Sequence, residues 1–182
     1  MELQVKSSSK MAGYYLYAAM VQGAIAVVIT FLGALGDQIG LLPVAVSRII
    51  AGGSAGTWFV MGYVTYLIVG VVAMAVTSLF YFFIESIQGK QYNAAAKVLS
   101  WIHLVFANVG VAGAALAAMW GGYWGGVAMA SKSVGGLGGT AADAHVLALG
   151  PVEYPIVAFL IIAIIGFLAG GVGYLIPKRS KS

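Results

Sequence analysis

Residues 57–84 read TWFVMGYVTYLIVGVVAMAVTSLFYFFI, 28 consecutive positions without one charged side chain. About 20 such residues cross ~30 Å of hydrocarbon as a helix, so this run is long enough to cross at a tilt. Working outward, three more runs share its character: 11–35, 98–120 with an apolar continuation to 129, and 152–176. None carries a Lys, Arg or Asp in its middle. Over all 182 residues, 62% are apolar and 8% charged, and mean hydropathy is +1.00. A soluble domain carries roughly a quarter charged residues, and so little charge cannot cover the surface of a small water-bathed globule. An ordinary soluble enzyme is excluded. The 26 Gly follow no three-residue period and only 4 Pro occur, which excludes collagen. The absence of Cys removes disulfides, thiolate metal sites, iron–sulfur clusters and covalent c-type haem. The expected fold is an all-α, integral membrane four-helix bundle forming a single domain over 1–182.

Basic residues orient it. With four crossings both termini share a side, together with Lys6, Lys10, Lys90, Lys97, Lys178, Arg179 and Lys181; the other side holds Arg48 and Lys132. This asymmetry predicts cytoplasmic termini and a multi-pass protein of the cell membrane. It also accounts for the net charge of +4 without a nucleic-acid partner, since the basic residues are not interleaved with exposed aromatics. The first run is too long for a signal-peptide core and reads as a retained span.

Both outer loops read as carrying short surface helices. Pro43 followed by residues 44–50 and Gly52-Gly53 predicts one. Thr140-Ala141-Ala142-Asp143 is a capping-box start to a second, over 144–149, stopped by Gly150-Pro151; the glycine-rich stretch 134–140 before it reads as mobile. Trp58, Trp101, Trp120 and Trp124, with Tyr14, Tyr15, Tyr81, Tyr154 and Tyr174, fall near predicted span ends and read as an interfacial belt.

Few residues are equipped for chemistry. His103 and His145 are expected in opposite leaflets, where one metal ion or one bis-His haem cannot use both. Gln22 and Asn108 each fall about 16 Å into their helices, near the midplane, where an unpaired amide is expensive. They are expected to face the interior as structural polar residues that fix which helix faces meet. Gly166-x-x-x-Gly170, Gly121-x-x-x-Gly125 and Gly122-x-x-x-Gly126 permit close helix approach, within a bundle or between copies.

The order of features resembles the last four helices of haem–copper oxidase subunit I, in the branch holding C-type oxidases and nitric-oxide reductases. Phe31-Leu32-Gly33-Ala34 with Leu42-Pro43, Ala55-Gly56-Thr57, and Leu79-Phe80-Tyr81-Phe82-Phe83 with Gly89-Lys90-Gln91-Tyr92 carry the likeness. Trp101-Ile102-His103-Leu104 with Asn108, Gly110 and Met119-Trp120 extends it. The departure is sharper than the match. Where that family places haem-ligand histidines seven and five residues before a glycine, this chain has Tyr63 and Thr65 before Gly70. The resemblance therefore implies a reduced relative with its ligands lost. The expected function is a non-catalytic membrane subunit packing with other membrane subunits, or with itself, in a respiratory or redox complex. No catalytic residue, metal site or cofactor is expected in that reading. One alternative is an electron-transfer protein holding haem b or a quinone through His103, and another is a small four-span transporter or channel.

Overall fold

The computed structural model describes residues 10–176, with Gln91 by its backbone alone, and the backbone of 178–179. Lys6 and Lys181 lie outside the described residues. Four helical spans long and apolar enough to cross a bilayer follow one another: Lys10–Leu35, Ala55–Ile87, Ala94–Met129 and Ala141–Leu175. The first is α1. Between it and the second lies the short helix α2 (Val46–Ala51). The second comprises α3 (Ala55–Thr65), a wide π turn (Tyr66–Val72), α4 (Ala73–Phe82) and another π turn (Phe83–Ile87). The third is α5. The fourth joins α6 (Ala141–Ala144), a π turn (His145–Leu149) and α7 (Gly150–Leu175). At the end carrying Lys10, Lys90 and Lys97, hereafter the basic end, β1 (Lys90–Gln91) pairs antiparallel with β2 (Lys178–Arg179). That pairing ties the connection after the second span to the segment following the fourth.

α5 is the centre. Half of its apolar window is buried, against 17–28% for the other three spans. Asn93 starts it, its side chain accepting a 2.8 Å hydrogen bond from Ala96 N and satisfying one of the free amides of the first turn. Its buried face is mostly Ala and Gly, so neighbours approach to backbone contact. Gly110 backs onto the α7 main chain at Phe159 and Ala163, and Gly122 onto α3 at Trp58 and Phe59. From the other side, Gly166 of α7 receives the α5 backbone at Ala107. The glycine pairs singled out in the sequence are therefore used inside the bundle.

The second span shows why it is not uniform. Its buried positions Gly62, Tyr66, Gly70, Met74 and Ser78 recur every four residues. In an α-helix each four-residue step drifts about 40° around the axis, and four steps would carry the inward face away from its neighbours. The π turn at Tyr66–Val72 takes in an extra residue and keeps these positions on one side.

At the opposite end the loops are pinned to the helices. Tyr123 of α5 donates from its hydroxyl to Val44 O (2.9 Å) and accepts from Val44 N (3.3 Å), above a cluster of Val44, Val46, Ile49 and Val127. The stretch 134–140, expected to be mobile, hydrogen-bonds back to α5: Leu137 N to Val127 O, Gly138 N to Ala130 O, Gly139 N to Ala128 O. The last carbonyls of a helix lack partners in the helix itself, and here the loop supplies them. Gly150-Pro151 does not stop a separate helix either. The chain runs helical from Ala141 to Leu175, with the π turn immediately before Pro151 accommodating its missing N–H. The Thr140–Asp143 capping box opens this longer helix.

Candidate functional site

Two polar layers lie inside the bundle. The first joins three spans near mid-depth. Tyr66, fully buried at the start of its π turn, donates to Gln22 Oε1 of α1. Gln22 Nε2 donates to Asn108 Oδ1 of α5 at 3.4 Å, and Asn108 Nδ2 donates to Leu104 O (2.7 Å) and Met74 Sδ (3.4 Å). The donors run in a chain across three spans: Tyr66 to Gln22, Gln22 to Asn108, and Asn108 to Leu104 O and Met74 Sδ. Unpaired amides at this depth would be expensive, so the layer fixes the rotation of each helix about its axis. Further along, Thr30 spends its hydroxyl proton on Ala26 O at 2.7 Å, so Tyr63 is the donor in the 2.6 Å contact between Tyr63 Oη and Thr30 Oγ1. Tyr63 also stacks on Phe59, while Thr65 is exposed on the outer surface. At the positions where the resembling family carries ligands, this chain thus has a hydroxyl held by α1 and a side chain facing away from the core.

The second layer lies at the basic end, around His103. Its ring is 4% exposed, and Nδ1 lies 3.3 Å from Tyr81 Oη. Tyr15 and Tyr81 are fully buried and stacked, with centroids 4.8 Å apart and planes 18° from parallel. Tyr174 and Tyr92 approach Tyr81 at 5.0 and 5.9 Å, and Phe167 meets the imidazole edge-on at 5.9 Å. The hydroxyls of Tyr15, Tyr92 and Tyr174 are buried without a hydrogen-bond partner. Beside them, Ser100 spends its hydroxyl proton on Ala96 O at 2.8 Å. Tyr15, Tyr81 and Tyr174 were expected in the interfacial belt; instead they build this layer, while Trp58, Trp101, Trp120, Trp124, Tyr14 and Tyr154 stay exposed. The sequence held a signal for two of them. Tyr15 lies two helical turns before Gln22 on the same face of α1, and Tyr81 continues the inward line of Met74 and Ser78.

His103 does not fit a haem or a quinone ring. Tyr15, Tyr81, Phe167 and Tyr174 wall it in, and α7 passes so closely at Gly170 that even a methyl group there would strike the imidazole. His145 stands exposed at the opposite end, 3.8 Å from Glu153. Some 26 residues of α5, about 39 Å of helical rise, separate His103 from the end of that helix. Among the described residues, no group of three His, Asp or Glu could hold a metal ion. An apolar groove of about 380 Å³ opens between the loops at the His145 end, bounded by Pro43, Trp124, Val127, Leu137 and Leu147.

No family model matches the chain, and neither the curated proteins nor the solved structures provide a match. The spans and their apolar exteriors define a multi-pass helical membrane protein with the bilayer as its surroundings.

Proposed function

We propose that this chain is an integral membrane subunit that packs in a larger redox complex and carries no metal-centred catalysis of its own. It lies in the cell membrane with both termini in the cytoplasm. The observation that supports this reading is how interior and exterior are used. Glycine-mediated backbone contacts and a hydrogen-bonded polar layer fill the inside of the bundle, leaving the broad apolar faces of α1, the second span and α7 as the surface available for association. The order of oxidase-like motifs, with Tyr63 and Thr65 at the ligand positions, supports the kind of complex. A transporter or channel is supported less, because the mid-depth donors are consumed by protein acceptors rather than lining a path.

Purification from native membranes in a mild detergent tests this. The expected result is co-purification, at fixed stoichiometry, with membrane subunits that carry haem or copper. Recovery of the chain alone as a monomer overturns it.

A further inference from the structure

The layer around His103 has no room for a substrate, yet it gathers stacked phenol rings, exchangeable hydroxyl protons and a buried base. A buried phenol beside an imidazole has the groups for the coupled loss of an electron and a proton. We propose that Tyr81 is a redox-active tyrosine, that His103 Nδ1 is the acceptor of its phenolic proton, and that Tyr15 shares the electron hole by stacking. The oxidant has to come from a metal-bearing partner, so the step rests on the redox-complex reading, whereas the ability of the cluster to hold a radical can be tested on the chain alone.

The step balances as follows. A one-electron, metal-centred oxidant removes one electron from the Tyr81 ring and is itself reduced by one electron. The Tyr81 O–H bond breaks, its proton forms an N–H bond at His103 Nδ1, and the products are a neutral phenoxyl radical and an imidazolium. Return of one electron to Tyr81 sends the proton back. Three observations converge on this assignment. Tyr81 Oη lies 3.3 Å from His103 Nδ1, and with the ring proton on Nε2 that nitrogen is the acceptor along which the phenolic proton moves. Complete burial of Tyr15 and Tyr81 shields a radical from water and from coupling with another chain. Third, the buried hydroxyls of Tyr15 and Tyr174 lack hydrogen-bond partners. Unpaired buried donors are costly and rare, and a redox role is one of the recognised reasons for them.

The test uses the full chain in detergent, with photo-oxidised tris(bipyridine)ruthenium as oxidant and persulfate as terminal acceptor. Samples are freeze-quenched and read by electron paramagnetic resonance. The expected result is a tyrosyl signal that falls at least fivefold in Tyr81→Phe and is unchanged in Tyr17→Phe, a tyrosine on the outer face of α1. Tyr81→Phe removes one oxygen atom, and matching circular dichroism and gel-filtration profiles establish that it folds. His103→Ala removes the accepting nitrogen without adding volume against Gly170 and is expected to slow radical formation at least tenfold. A measurement on the unaltered chain needs no variant: high-field spectra are expected to show a hydrogen-bonded phenoxyl whose proton coupling disappears in D2O. A signal that survives in Tyr81→Phe, sits on tryptophan, or lacks the exchangeable coupling overturns the assignment.

Discussion

At the residue scale, glycine decides how closely the helices pack. A Cβ at Gly110 would fall against the backbone of Ala163 and Phe159, atoms that cannot swing aside, whereas one at Gly13 would meet nothing within 4 Å. Gly110→Ala should therefore destabilise by about 1–3 kcal/mol through overpacking. Gly13→Ala should stabilise by roughly 0.5–1 kcal/mol, because Ala loses less freedom than Gly in a helix. Unfolding of both variants by SDS titration from mild micelles checks the opposite signs, and equal effects would show that the α5–α7 contact is looser than described. The sequence displays these glycines and their spacing but not their partners, since a small residue reads the same toward lipid, toward a second copy or toward a neighbouring helix. His103 and the tyrosines show a similar gap. Aromatic rings near a span end suit the membrane interface on composition alone, and only the inward lines of Gln22 and Met74 mark Tyr15 and Tyr81 as interior.

At the element scale, the four spans could be read from hydropathy because a bilayer demands long uncharged runs, while their internal breaks could not. The π turn at Tyr66–Val72 holds one residue more than an α-helix would. Deleting Ile68, which is exposed within that turn, should restore regular α-helix and leave Tyr66 and Met74 facing inward. Deleting Val60 from α3 rotates everything beyond it by about 100° and should prevent folding. Yield of monodisperse protein on gel filtration distinguishes the two, and equal loss would show that the turn does not set the register. The mid-depth layer ties α1, the second span and α5 together. A double-mutant cycle of Gln22→Leu and Asn108→Leu should give a coupling of about 0.6 kcal/mol, up to about 1.7, the range found for such bonds in membranes. Strict additivity would mean the two amides do not share a bond.

For the whole molecule, the absence of Cys makes its orientation directly measurable. Gln88→Cys, at the basic end, should react with an impermeant maleimide in inverted vesicles and stay protected in intact cells. Ser133→Cys should show the reverse, as the excess of Lys and Arg at the first end predicts. Labelling of both from one side would contradict a four-pass arrangement. The loops at the Ser133 end show where composition misled. Glycine suggested mobility over 134–140, but the open carbonyls at the end of α5 offer that stretch a set of acceptors, and the chain takes them.

The bond between Tyr66 and Gln22 has a consequence for biogenesis. It links the first two spans, which leave the ribosome well before α5 and its Asn108. A nascent hairpin entering the bilayer can thus satisfy the carbonyl oxygen of its glutamine early, and the arrival of α5 then brings the Asn108 acceptor for the amide nitrogen. Insertion can begin with a first hairpin already joined by one polar bond, and the third span completes the junction.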